Sequence, residues 1–71
     1  FLNSTKNLVL DFSIKEDLTV NIYDLTGKII YNNRFHNQKH VEIELLFLPQ
    51  GFYIVDCLLQ NGRINHKFII E

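Results

Sequence analysis

The clearest structural pattern in the sequence lies in residues 52–70, which read FYIVDCLLQNGRINHKFII. In its first half Tyr53, Val55 and Cys57 alternate with side chains that point the other way, a period of two that is typical of a β-strand. Asn61-Gly62 then separates this run from a second alternating run, and this dipeptide favours a two-residue hairpin turn. The stretch therefore predicts an antiparallel hairpin, with Cys57 buried among the core residues.

The same alternation extends upstream through the rest of the chain. β-Branched and aromatic residues are abundant and alanine is absent, which favours pleated sheets over helices. Short strands separated by turns are typical of a sandwich or barrel. We predict an all-β fold, a small immunoglobulin-like antiparallel β-sandwich of six to seven strands. The six strands that the pattern supports are Asn7–Ser13, Leu18–Asp24, Lys28–Phe35, His40–Leu45, Phe52–Gln60 and Arg63–Ile70.

Turn residues mark the breaks between these predicted strands. Residues 15–17 and 36–39 are polar, as expected of surface loops. Gly27 closes a tight turn after Asp24, since glycine adopts positive φ without a steric penalty. Pro49 stops one strand, because proline cannot donate to a ladder, and Gly51 starts the next. On this interpretation Gly51 and Gly62 occupy backbone positions where valine would destabilise the domain.

Composition excludes several classes of function. The 71 residues carry a net charge of −1, and the seven Lys and Arg are scattered rather than clustered as nucleic-acid binding requires. The longest apolar run, residues 45–48, is far shorter than the roughly 20 residues of a membrane span. Residues 1–71 are expected to form a single domain. Because the sequence starts at Phe1 and shows no signal peptide, we expect it to be part of a longer polypeptide.

The residues capable of chemistry do not form a recognisable site. His36 and His40 flank a loop and His66 lies on a strand, which is not a zinc ligand pattern. Cys57 shares its face with core residues, so it is expected to be a small buried hydrophobe rather than a nucleophile. The carboxylates alternate with core residues and are interpreted as the polar faces of strands: Asp11, Asp24, Glu42, Glu44 and Asp56. We therefore predict no enzyme activity, no metal and no cofactor.

Three segments occur in an order that is specific to one family. The first is VNIYDLTGKII at residues 20–30, the second is LPQGFYIV at residues 48–55, and the third is Asn61-Gly62 followed by Lys67 and the apolar residues 68–70. Together they resemble the C-terminal sorting domain of the type IX secretion system of Bacteroidota, the Por secretion tail family. The resemblance covers essentially the whole chain. At the start Asn3 is kept, while Leu2 and Ser4 replace the family's usual prolines.

The resemblance implies a non-catalytic export label. Such a domain follows an N-terminal cargo that transits the periplasm, is recognised by the type IX translocon at the outer membrane, and in many members is removed by a surface sortase-like peptidase. The cargo then reaches the cell surface or the medium. The motif residues carried over by resemblance are Asn3, Gly27, Lys28, Pro49, Gly51, Tyr53, Gly62 and Lys67. Lys28 and Lys67 are the best candidates for contact, although solvated strand charges would look the same in the sequence.

Two other classes of function remain open at the level of sequence. One is a carbohydrate- or protein-binding adhesion module appended to a secreted enzyme. Its binding face would come from aromatic side chains, namely Tyr23, Tyr31, Phe35, Phe47 and Phe52. The other is a structural spacer that forms a weak homodimer through exposed edge strands.

Overall fold

The computed structural model describes residues 7–71, and every regular element in it is a β-strand. The strands are β1 (Asn7–Asp24), β2 (Ile29–Glu44), β3 (Gly51–Leu59) and β4 (Gly62–Ile70), and they form an antiparallel sheet in the order β2-β1-β3-β4. The all-β prediction is confirmed. The number of strands is four rather than six, and the immunoglobulin-like sandwich is not confirmed by this topology. Asn3, one of the predicted motif residues, lies outside the described residues.

The two predicted polar loops are bends within continuous strands. Asp11 pairs with His40 and Glu16 pairs with Gln38, so β1 advances five residues while β2 advances two. Extra residues on one strand bend a ribbon and increase its twist, as β-bulges do. On β2 the bend contains Asn37 at a φ of 56°, a conformation that asparagine tolerates better than most residues. The Asn37 amide donates a hydrogen bond of 2.8 Å to Asp17 on β1, which holds the bend together.

The bend divides the long hairpin into two parts, which we call the arm and the sheet half. In the arm, residues 7–11 of β1 pair only with residues 40–44 of β2. In the sheet half, residues 18–24 of β1 lie between β2 and β3. The Tyr31 ring in the sheet half lies 6.3 Å from the Phe47 ring, just beyond the end of the arm. This contact brings the segment that follows the arm against the sheet half.

The core joins the arm to the sheet half. Buried residues from both parts belong to one hydrophobic cluster, and Leu8, at the start of the arm, has no exposed surface. Removing this apolar area from water is the main favourable contribution to folding. The cluster consists of Leu8, Leu10, Leu18, Val20, Ile22, Val41, Ile43, Leu45, Leu48, Tyr53, Val55, Cys57, Phe68 and Ile70.

The alternation identifies most of these core positions correctly. Val20, Ile22, Tyr53, Val55 and Cys57 are all buried, as predicted. At the tip of the last hairpin the prediction is only partly right. Ile64 has the same parity as Phe68 and Ile70, yet it is 45% exposed. The inner face of the last hairpin is therefore more exposed at its tip than toward Ile70.

The last hairpin turns one residue earlier than predicted. Leu59 pairs with Gly62, so the two loop residues are Gln60 and Asn61, and Gly62 is the first residue of β4. Positive φ angles among residues 7–71 occur at Asn37, Gly27 and Gly51, but not at Gly62. A Cβ on Gly62 would also meet no atom within 4 Å. The predicted steric need for glycine at residue 62 is therefore wrong, whereas those at residues 27 and 51 are supported.

Candidate functional site

The turn between β1 and β2 is organised by a single carboxylate. The Asp24 carboxylate accepts hydrogen bonds from the Thr26 hydroxyl (2.6 Å), the Thr26 amide (2.9 Å) and the Lys28 amide (3.1 Å). The bond from the Thr26 hydroxyl is the main reason that the pKa of Asp24 is lowered. Gly27 has a φ of 87°, a left-handed conformation that suits glycine. The run from Asp24 to Lys28 thus has a local structural explanation, and it leaves the Lys28 side chain exposed.

A second local structure explains the segment around Pro49. The Tyr53 hydroxyl donates a hydrogen bond of 2.6 Å to the carbonyl of Pro49, four residues earlier. Gly51 lies between them at a φ of 151°, which side-chain-bearing residues rarely adopt. The Tyr53 ring also lies 5.9 Å from that of Phe68 in the core. This arrangement, which we call the Tyr53 corner, resembles the tyrosine corner of β-sandwiches, where a tyrosine hydroxyl bonds to the backbone a few residues upstream.

Replacing Tyr53 with phenylalanine should lower the free energy of unfolding by about 0.5–1.5 kcal/mol, because the ring remains but the hydrogen bond to Pro49 is lost. Tyr23→Phe is the matched control, since the Tyr23 hydroxyl makes no hydrogen bond to any residue in the described part of the chain. Urea denaturation followed by circular dichroism measures both variants. Equal stability of the two variants would contradict the structural role of the Tyr53 corner.

The turn between β1 and β2 and the Tyr53 corner lie at the same end of the sheet, which we call the Gly27 end. Tyr53 pairs with Asp24, and Gly51 pairs with Ile70, so the start of β3 and the end of β4 lie beside the β1–β2 turn. The predicted motif residues that meet here are Gly27, Lys28, Pro49, Gly51, Tyr53 and Lys67. Gly62 lies at the opposite end, beside the Gln60–Asn61 turn.

The outer face of the sheet at the Gly27 end carries an apolar surface that the sequence analysis did not identify. Ile29, Tyr23, Ile54 and Lys67 pair in turn across all four strands and so form one row. Phe52 and Ile69 pair in the next row. We call the apolar members of these rows the outer patch: Tyr23, Ile29, Phe52, Ile54 and Ile69. Their outward direction follows from the alternation with core residues, but their assembly into one surface depends on the pairing registers.

A row of polar residues borders the outer patch. Four residues pair in turn across the strands: Asn32, Asn21, Asp56 and Asn65. The side-chain amide of Asn32 donates a hydrogen bond to the side-chain oxygen of Asn21. Asp56 is only 5% exposed, although it points away from the core, and Arg63 Nε lies 3.2 Å from its Oδ1. This contact has ion-pair distance without the alignment of a good hydrogen bond. The prediction that Asp56 belongs to a solvated polar face is therefore corrected, because Arg63 and its neighbours cover it.

The surroundings of the histidine and cysteine side chains are relevant to metal binding and to nucleophilic chemistry. His40 pairs with Asp11, and this hydrogen bond is the main cause of the raised pKa of His40. Burial raises the pKa of the Cys57 thiol to about 11, which disfavours the nucleophilic thiolate near neutral pH. Residues 7–71 contain no group of three or more His, Cys, Asp or Glu that could hold a metal ion. Over the same residues, no helix has the length and apolar character to cross a membrane.

The aromatic side chains considered for sugar binding do not form one cluster: Tyr23 and Phe52 lie in the outer patch, and the other three lie elsewhere. Tyr31 and Phe35 pack against the core, and Phe47 tilts against Tyr31. On the outer face the Lys67 ammonium lies 5.0 Å from the centroid of the Phe52 ring, a cation–π contact that covers one face of that ring. At the opposite end of the sheet, an open groove of about 330 Å³ lies beside Thr19, Arg34 and Leu58, away from the Gly27 end.

Comparison with known proteins identifies the family of this chain. No curated protein matches the chain. The sequence profile of one family, described as the secretion system C-terminal sorting domain, matches residues 4–71. This match includes the Gly27 turn, the Tyr53 corner and both strands of the last hairpin. The chain therefore belongs to the C-terminal sorting domain family of the type IX secretion system.

Proposed function

We propose that this domain is a non-catalytic export signal. In this proposal it follows an N-terminal cargo and is recognised by the type IX translocon, which carries the cargo from the periplasm across the outer membrane. The observation that supports it is the family match over residues 4–71. The domain itself then needs no cofactor, and any cleavage that releases the cargo is the work of a sortase-like peptidase on the cell surface.

The motif residues fall into two groups, one that shapes the backbone and one that is exposed. Gly27, Gly51, Pro49 and Tyr53 build the backbone at the Gly27 end, and Tyr53 is only 6% exposed. Lys28 and Lys67 are exposed at the same end. We assign the first group to folding and the two lysines to recognition. Asn3 and Gly62 remain motif residues by family resemblance alone.

We also keep the immunoglobulin-like sandwich as a proposal for the architecture. When each bend is counted as a break, the four strands become the six predicted ones, and the arm becomes a second layer over the sheet half. The single hydrophobic cluster that joins both parts supports this description. The outermost strands in the observed order are β2 and β4, and a weak homodimer through either edge remains a prediction. Sedimentation of the isolated domain over a range of concentrations tests for the dimer.

A fusion experiment tests the proposed function. A periplasmic reporter is expressed in a type IX-competent bacterium with and without residues 1–71 at its C-terminus, and its distribution is measured by cell fractionation. We expect the tailed reporter on the cell surface or in the medium and the untailed reporter in the periplasm. A tailed reporter that folds but stays in the periplasm would refute the export function. Glycan-array binding by the isolated domain would instead favour the adhesion alternative.

A further inference from the structure

The outer patch is a contiguous apolar surface, bordered along the sheet by the row of Asn32, Asn21, Asp56 and Asn65. Ile29, Phe52 and Ile69 are 52%, 48% and 42% exposed, and Tyr23 and Ile54 are half-buried between them. Side chains that pair directly across strands have Cβ atoms about 5 Å apart, so these residues touch or nearly touch. Single exposed hydrophobic residues are ordinary, but contiguous ones rimmed by polar groups mark interaction surfaces.

The charged side chains nearest the outer patch are Lys28 and Lys67 at its edges and the carboxylates Asp24 and Glu71 at the same end of the sheet. Lys67 pairs with Ile54, and its ammonium lies over the Phe52 ring. Lys28 immediately precedes Ile29 at the other side of the patch. Asp24 accepts three hydrogen bonds from its own turn, and Glu71 follows the end of β4. Lys28 and Lys67 are therefore the charges that a partner lying on the apolar rows would meet at the edges of the patch. A partner that matches this surface needs an apolar centre and acidic groups at its edge.

We propose, building on the export function, that the outer patch with Lys28 and Lys67 is the surface through which the domain docks onto the translocon. The partner is a folded protein surface with an apolar centre and carboxylates placed to meet the two lysines. Apolar contacts provide affinity in such an interface, while complementary charges steer encounter and exclude wrong partners.

The arrangement favours a protein partner over a membrane. Electrostatic binding to anionic lipid relies on clusters of about 4–8 basic residues, whereas two lysines flank this patch. The apolar side chains stand on a four-stranded sheet whose pairing fixes their positions. The cation–π contact orders Phe52 and Lys67 relative to each other before any partner arrives. Such ordering lowers the entropic cost of binding to a surface of defined shape.

Two sets of matched variants of the reporter fusion test this proposal. The charge set compares two double variants. The patch variant carries Lys28→Glu and Lys67→Glu together, and the control variant carries Lys15→Glu and Lys39→Glu, the same charge change on exposed lysines elsewhere. The apolar set compares Phe52→Ser with Ile14→Ser, since Ile14 is 62% exposed at the bend. Thermal melting of each purified domain establishes that it is folded. The charge set keeps the test decisive if Phe52→Ser prevents folding.

We expect the patch variants to reduce export by at least about tenfold, equivalent to the loss of roughly 1.4 kcal/mol of binding, while the control variants are exported like the wild type. Folded patch variants that are exported normally would overturn the docking surface but leave the export function intact. A wild-type fusion that is not exported would overturn both. Lysine-dependent co-sedimentation of the wild-type domain with vesicles of phosphatidylcholine and phosphatidylglycerol would show a lipid surface instead and overturn the protein partner.

Discussion

Replacing Leu8 with alanine should lower the free energy of unfolding by about 2–5 kcal/mol, the usual cost of removing a fully buried leucine side chain. Leu8 lies in the arm and has no exposed surface. It is buried because the arm packs against the sheet half and contributes to the same hydrophobic cluster. A domain of this size is stable by roughly 4–11 kcal/mol, so this single change should shift the urea midpoint far below that of the wild type.

The matched control for Leu8→Ala is Leu46→Ala, the same substitution at a residue that is 71% exposed. Its expected effect is within about 0.5 kcal/mol. A milder pair guards against complete unfolding: Ile43→Val in the arm, where the residue is 4% exposed, and Ile69→Val, where it is 42% exposed. The arm variant should lose about 0.5–1.5 kcal/mol. If Leu8→Ala is no more harmful than Leu46→Ala, the arm does not pack against the sheet half.

Replacing Gly51 with valine should lower the free energy of unfolding by about 1–3 kcal/mol, the next largest loss after Leu8→Ala. The φ of 151° at Gly51 is strained for any residue with a Cβ and most strained for a β-branched one. A Cβ on Gly51 would lie at an ordinary contact distance of 4.0 Å from the Tyr53 ring, so the expected loss comes from backbone strain and not from a clash. Urea denaturation monitored by circular dichroism measures the change.

The control for Gly51→Val is Gly62→Val, the same substitution at the first residue of β4. Gly62 does not have positive φ, and the space around a Cβ there is open. Valine should therefore be tolerated, and the restriction it places on the unfolded chain can even add a few tenths of a kcal/mol to stability. A loss at Gly62 as large as that at Gly51 would mean that the hairpin turns at Asn61-Gly62 after all.

The sequence predicted the core well because a period of two is a strong signal in half-buried strands. Val20, Ile22, Val55 and Cys57 are buried for the reason given by the alternation. The alternation could not predict that the strands continue through residues 14–17 and 36–39. Polar residues are equally typical of a surface loop and of an exposed bend in a ribbon, and only the pairing of Glu16 with Gln38 distinguishes the two.

The register of the last hairpin shows a second limit of the sequence. Turning at Asn61-Gly62 rather than at Gln60–Asn61 would shift the pairing by two residues and leave every side chain on the same face. Alternation therefore cannot choose between these registers. The observed one places Tyr53 opposite Phe68, whose rings make contact in the core, and Gly51 opposite Ile70. These tertiary contacts outweigh the local preference of the Asn-Gly dipeptide.

The candidate site was only partly accessible from the sequence. Family resemblance indicated Lys28 and Lys67, but their separation of 39 positions gave no reason to place them at one end of the sheet. Their proximity to Ile29 and Phe52 arises from the strand order, in which β1 pairs with both β2 and β3. The outer patch is thus a property of the topology rather than of any single motif.

The most direct test of the export function is the amount of tailed reporter outside the cells in two strains, one with an intact type IX translocon and one without it. If residues 1–71 are an export signal, the reporter should appear on the surface or in the medium of the first strain and accumulate in the periplasm of the second. The same distribution in both strains would contradict the account, because export would then not depend on recognition of this domain by the translocon.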